Sequence, residues 1–147
     1  MKRQTLVAAV AALAVPVLAV SASTAAAKTT RHVSLTIVGA QVAPNEAVYV
    51  VRGTRRGALI QVFKTNSANT GATSTSTFYD GHGTITGRQT STLSQPDANG
   101  IITITASGRF VSGTGKYKGA VGKLTVTGTL NTQTRVFNLT ATGTETY

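Results

Sequence analysis

The stretch that decides the fold is Ser112–Val126, "SGTGKYKGAVGKLTV". Gly113, Gly115, Gly119 and Gly122 crowd it, with Tyr117 and the lysines Lys116, Lys118 and Lys123 between and after them. Such a segment is either a loop that cradles phosphate or a turn that releases a strand. A phosphate loop needs G-x-x-x-x-G-K-[ST], or G-x-G-x-x-G between a strand and a helix. Gly122-Lys123 is followed by Leu124, so the first pattern fails. The second misses by one residue, and the residues after Gly122 alternate as a strand does. Without a helix N-terminus an anion would find no dipole and no row of free N–H groups. The glycines therefore serve the backbone, allowing positive φ and tight turning, with the Tyr117 ring tucked under the turn.

Outward from this turn, apolar residues recur every second position, and no segment carries helical spacing. Leu124, Val126 and Leu130 share one face, and Thr125, Thr127 and Thr129 the other. Ile102, Ile104, Ala106 and Phe110 oppose Thr103, Thr105, Ser107 and Arg109 in the same way. Phe137, Leu139 and Ala141 oppose Asn138, Thr140, Thr142 and Thr144. One dry face and one wet face mark antiparallel strands. About 25 threonines lie beyond residue 27, a residue suited to pleated, half-exposed surface. Turn residues punctuate the chain at Pro44-Asn45, at Asp80-Gly81 and in "QPDANG", Gln95–Gly100. The spacing predicts strands near 32–39, 47–53, 57–64, 72–79, 83–93, 101–110, 121–130 and 134–145. Short strands at that spacing mean an all-β sandwich or a closed barrel.

Two strands break the pattern. Val48 and Val50 point one way while Tyr49 and Val51 point the other, and Ile60 and Val62 oppose Leu59 and Phe63. Strands apolar on both faces are usually covered on both. The cover is either a neighbouring subunit, giving a homo-oligomer through residues 47–63, or a local helix or loop of the same chain.

The start of the chain is of another kind. Met1-Lys2-Arg3 is positive, Leu6–Val20 is almost wholly Ala, Val and Leu, and Ala25-Ala26-Ala27 is small. That is the outline of a secretory signal peptide over residues 1–27, with a cut after Ala22 as the alternative. The apolar run of roughly 15 residues falls short of the ~20 a membrane span needs. Residues 28–147 remain as one domain of a secreted, extracytoplasmic protein. The chain has no cysteine, which excludes thiol catalysis, zinc fingers and iron–sulfur clusters. The formal charge is +10, and loss of Lys2 and Arg3 leaves about +8. Scattered cations, few aromatics and export argue against a nucleic-acid partner. Weak contact with an anionic cell-surface polymer or lipid headgroups is the better reading of the charge.

The glycine turn also supports a resemblance. "SGTGKYKGAVGKLTV" resembles a hallmark of the allene oxide cyclase and dirigent-like barrels: a Gly-rich turn, an aromatic, then a small residue and Gly entering a strand. "STFYDGHGTITG" (Ser76–Gly87) resembles their strand–turn–strand, and "GIITITASGRFVSGTG" falls between the two in order. The similarity covers roughly the last half of the chain. It implies a single antiparallel eight-stranded β-barrel, often assembled as a trimer. The cyclases carry a glutamate on an early strand, whereas "RHVSLTIVG" here has no carboxylate. The dirigent aspartates and arginines find no counterparts by position. The resemblance therefore carries fold and assembly, not catalysis.

Chemistry-bearing residues are sparse. Glu46, Asp80, Asp97 and Glu145 are the acids, and the last two read as solvated. Asp80-Gly81-His82 is either an oriented imidazole or a turn aspartate making local hydrogen bonds. No G-x-S-x-G elbow is present, and two distant histidines with four acids make a poor metal site. No cofactor is implied. Asn138-Leu139-Thr140 has the form of a glycosylation sequon. Three functions stay open. The first is a non-enzymatic barrel holding a small apolar ligand. The second is a cyclase- or dirigent-like catalyst guiding a reactive intermediate, with Tyr49, Arg52, Lys64, Tyr79 and Arg88 as candidates to line the interior. The third is a surface-adhesion protein acting through its basic outer face.

Overall fold

A computed structural model describes residues 28–147. The signal-peptide assignment, residues 1–27, lies outside the described residues. Eight antiparallel strands close into one barrel: β1 (Thr30–Ala43), β2 (Glu46–Gly53), β3 (Gly57–Thr65), β4 (Gly71–Asp80), β5 (Gly83–Leu93), β6 (Ile101–Gly113), β7 (Val121–Asn131) and β8 (Val136–Thr146). Each strand pairs with its sequence neighbours, and β1 pairs with β8 to shut the wall. Closure leaves no unpaired edge, so every strand is protected from edge-to-edge association.

The period-two pattern sets the sidedness. Val33, Leu35 and Ile37 of β1, Ala47, Tyr49 and Val51 of β2, and Ile104, Ala106, Val126, Phe137 and Ala141 of the later strands are buried in the interior. The alternate positions, largely Thr, Ser, Arg and Lys, face outward. This polarity is the reverse of a lipid-facing barrel, whose outer band is apolar.

Strand ends follow local chemistry. β8 starts at Val136, two residues later than the pattern suggests. Arg135 sits in the left-handed region at φ 57, and Asn131 Oδ1 accepts hydrogen bonds from the N–H groups of Gln133 and Thr134. β1 runs on to Ala43, with a register shift between Gln41 and Ala43 at the turn.

The glycine segment is a turn with a single three-residue 3-10 turn, Gly115–Tyr117, inside it. Gly115 (φ 57) and Gly119 (φ 77) adopt the left-handed backbone that glycine favours. A Cβ on Gly115 would also strike the His82 carbonyl oxygen. That closeness lets Lys116 N–H bond to His82 O, while the Thr84 N–H bonds to Thr114 Oγ1. Tyr117 is buried beneath the turn at 1% exposure.

The β1–β3 outer face is not covered by any described part of the chain. Val38, Val48, Val50, Ile60 and Val62 stay exposed there. They form cross-strand rows: Val38 opposite Val50, and Val48 opposite Ile60. The doubly apolar strands thus keep one face in the core and present the other to the outside, with no local helix or loop over it.

Candidate functional site

The two ends of the barrel differ. One end gathers the start of β1 and the end of β8 with the β2–β3, β4–β5 and β6–β7 connections. Here Arg55 reaches from the β2–β3 turn and grips Glu145 of β8 with two bonds, Nε to Oε2 at 2.9 Å and Nη2 to Oε1 at 2.6 Å. Its guanidinium lies over the Tyr117 ring, 4.2 Å from the centroid, and Tyr147 packs edge-on against Tyr117. The Tyr117 hydroxyl donates to Asp80 Oδ2, and the His82 N–H to Asp80 Oδ1. These groups plug the end.

The contacts at this end shift three of its groups, Arg55, Tyr117 and Asp80. Burial alone would lower the Arg55 pKa, but the Glu145 hydrogen bonds and charge outweigh it and raise the value. Burial, then the hydrogen bond to Asp80, push the Tyr117 phenol up to about 12. Burial tends to raise the Asp80 carboxyl. The Tyr117 hydroxyl, the His82 N–H and the His82 and Arg55 charges overcome that and leave it below its ordinary value.

One expectation is revised at this end, and one pair of alternatives is resolved. Glu145, read as solvated, is 4% exposed, because the odd-numbered end of β8 points inward and Arg55 neutralises it. Asp80-Gly81-His82 is the turn aspartate of the second reading, with the carboxylate on the His82 backbone rather than on its ring.

The opposite end is open. A cavity of about 410 Å³ runs inward from the β1–β2, β3–β4 and β5–β6 connections. Its walls are apolar: Phe63, Leu93, Ile102, Ile104, Leu130 and Phe137 among others. One side carries a polar arc. The Tyr49 hydroxyl donates to Gln61 Oε1 at 2.6 Å, and Gln61 Nε2 donates to Ser74 Oγ at 2.9 Å. Gln89 and Ser91 continue the arc on β5. Burial raises the Tyr49 phenol well above its ordinary value, so it remains a hydrogen-bond donor. Among the described residues, no charged side chain lines this cavity. A further void of about 70 Å³ separates it from the plug.

Tyr49 is held by Gly39. The two residues are opposite one another, and Gly39 is also opposite Phe137 on β8. With no side chain between them, the Tyr49 and Phe137 rings meet edge-on at 5.5 Å across Gly39. A Cβ there would fall on the Val48 carbonyl oxygen and 2.5 Å from Tyr49 Cδ1.

Of the five residues expected to line the interior, only Tyr49 does. Arg52, Lys64, Tyr79 and Arg88 face outward and are exposed. Each is next in sequence to a residue that takes the interior position: Val51, Phe63, Phe78 and Gln89. Strand alternation then forces the neighbour out. Gly113, Gly115, Tyr117, Gly119 and Gly122 all lie at the plugged end, as backbone and packing elements. The cavity residues missed were Gln61, Ser74, Gln89 and Ser91. Gln61 had a signal: it is the lone polar residue between Leu59 and Phe63 on an otherwise apolar face. The Arg55–Glu145 pair, 90 residues apart, had none.

No family model matches the chain, and neither the curated proteins nor the solved structures contain a match.

Proposed function

We propose that the protein is an exported binding barrel that takes up a small, largely apolar molecule bearing one hydrogen-bonding group. The observation that carries this is the open, uncharged cavity of about 410 Å³ with polar groups confined to the arc from Tyr49 to Ser91 and to the mouth. That volume lies within the range of small-molecule sites, roughly 300–1,000 Å³. Apolar walls would desolvate the body of the ligand. Gln61 and Ser74 would orient its polar group, since the Gln61 amide keeps a second N–H and the Ser74 hydroxyl keeps its proton after their mutual bond. The cyclase- or dirigent-like alternative rests on resemblance. It would have to work without a carboxylate, imidazole or amine in the cavity wall, so binding is the better-supported reading.

The test uses the secreted form and the neutral fluorophore N-phenyl-1-naphthylamine. Saturable binding at one site per chain is expected, with loss of at least tenfold in affinity in Ser91→Phe, whose ring would occupy the cavity. Circular dichroism checks that the variant keeps its barrel. Native mass spectrometry of protein from its own secreting cells should show a bound small molecule. Non-saturable fluorescence, or equal affinity in Ser91→Phe, would sink the proposal. A bound molecule that leaves with an altered mass would move the assignment to catalysis.

A further inference from the structure

The outer wall carries a feature that the cavity does not explain. Arg88 on β5 is directly opposite Arg109 on β6, and Arg109 is directly opposite Lys123 on β7. All three are exposed. Adjacent strands lie about 4.8 Å apart, so three cations stand side by side on neighbouring strands. Like charges directly opposite one another destabilise a sheet. The protein has the means to relieve this and does not use it. Glu145 is inside the barrel on Arg55, Asp80 is turned to Tyr117 and Asp97 binds its own loop through the Asn99 and Ile101 N–H groups. Glu46 is in the same cross-strand row, but three strands from Arg88. At roughly 14 Å by strand spacing, it is beyond the screening length of about 8–10 Å.

The neighbouring rows decide what kind of anion fits. Two residues along the strands runs a second cross-strand row: Lys64, Thr73, Thr90, Ser107, Thr125 and Thr142. Both rows line one shallow depression on the wall. The threonine hydroxyl pairs that do form, Thr30–Thr146, Thr77–Thr86 and Thr84–Thr114, lie outside it. Each free hydroxyl offers one donor and two acceptor sites. A cation ladder flanked by hydroxyls complements a chain that alternates anions with hydroxyls. Nucleic acid would want aromatic platforms for its bases, and these rows contain none. An anionic membrane would want a cluster of apolar side chains to insert; the exposed valines and isoleucine gather on β1–β3, and only Val111 and Val121 stand on the ladder strands, at their plugged end.

We infer that the Arg88–Arg109–Lys123 ladder and the hydroxyl row beside it dock an acidic polysaccharide across β4–β8. Carboxylates would relieve the mutual repulsion of the ladder, and sugar hydroxyls would replace water on the Ser and Thr row. This surface is on the outside of the wall, whereas the apolar cavity is on its inside.

The probe is polygalacturonate on a biosensor, with the secreted form at 50 and 300 mM NaCl. The triple variant Arg88→Gln/Arg109→Gln/Lys123→Gln is compared with a charge-matched control, Arg52→Gln/Arg56→Gln/Lys118→Gln. Expected are at least tenfold weaker binding in the ladder triple, less than threefold in the control, and weaker binding of the wild type at high salt. Thr90→Val/Thr125→Val should lose severalfold at both salt concentrations. If the ladder triple does not fold, Arg109→Glu carries the same expectation. Equal losses in both triples would reduce the effect to net charge and overturn the inference. So would tighter binding to oligo(dT) or to phosphatidylglycerol vesicles than to polygalacturonate.

Discussion

Replacing Arg55 with leucine should destabilise the barrel more than any other single surface-end change, although Arg55 lies in a turn. The substitution leaves the Glu145 carboxylate 4% exposed with its bidentate partner gone. An uncompensated buried charge costs about 3–5 kcal/mol. Loss of the guanidinium from the Tyr117 face, at 4.2 Å, contributes to the same deficit, at about 0.5–2 kcal/mol. For a chain of this size each kcal/mol moves the melting temperature by roughly 3–5 °C, so a fall of about 10–35 °C is expected. Glu145→Leu should cost less, because Arg55 sits on a surface turn and can swing its charged head into water. The double variant Arg55→Leu/Glu145→Leu should regain more than half of the Arg55→Leu loss, since apolar replacement of a whole buried pair is often near neutral. Urea denaturation of the four proteins closes the cycle. A loss below about 1 kcal/mol in Arg55→Leu is what an exposed ion pair gives. That value, or a double variant as unstable as the sum of the singles, would refute the plug as a desolvated closure.

Other consequences are equally direct. Gly39→Ala should destabilise the barrel by about 1–3 kcal/mol through overpacking against Val48 and Tyr49, read by denaturant titration, and should weaken fluorophore binding by displacing Tyr49. Asp80 has a depressed folded-state pKa, so its contribution is present above the unfolded value near ~4 and lost as pH falls through the folded one. The wild type should therefore lose stability more steeply than Asp80→Asn below about pH 4, in melting curves taken at stepped pH. The exposed Val48, Val50, Ile60 and Val62 form the face proposed for self-association. Light scattering at micromolar concentration should report an oligomer that Val50→Lys/Ile60→Lys reduces to a monomer, and a monomeric wild type would remove that proposal.

Most of the architecture was legible because a single period governs it. Leu124, Val126 and Leu130 alternating with threonines required a sheet with one dry face, and eight such stretches with turn residues between them narrowed the architecture to a sandwich or a closed barrel. The glycine turn was legible for the same reason: Leu124 after Gly122-Lys123 is strand, not helix. Inward and outward assignment was legible too, but it had to be applied residue by residue. Tyr49 inside puts Val51 inside and Arg52 outside, and the same step moves Lys64, Tyr79 and Arg88 to the exterior. What the chain did not announce was which end is open. That depends on Arg55 meeting Glu145 and Tyr117 meeting Asp80, contacts between residues 90 and 37 positions apart. No local pattern encodes them.

The seam between β1 and β8 is the one pairing that joins distant parts of the chain, with Thr30 opposite Thr146. All other pairings are between successive strands and can zip from a nearby turn. The last rivet in folding is therefore the seam, which must draw together the two extremities of an almost finished wall and bears the largest loop-closure entropy. Those extremities are side by side at the plugged end, with Thr29 N–H on Tyr147 O. A circular permutant joined there and cut in the Ser94–Gly100 loop would turn the seam into a hairpin. It should fold faster than the natural order, with the new ends at the rim of the mouth.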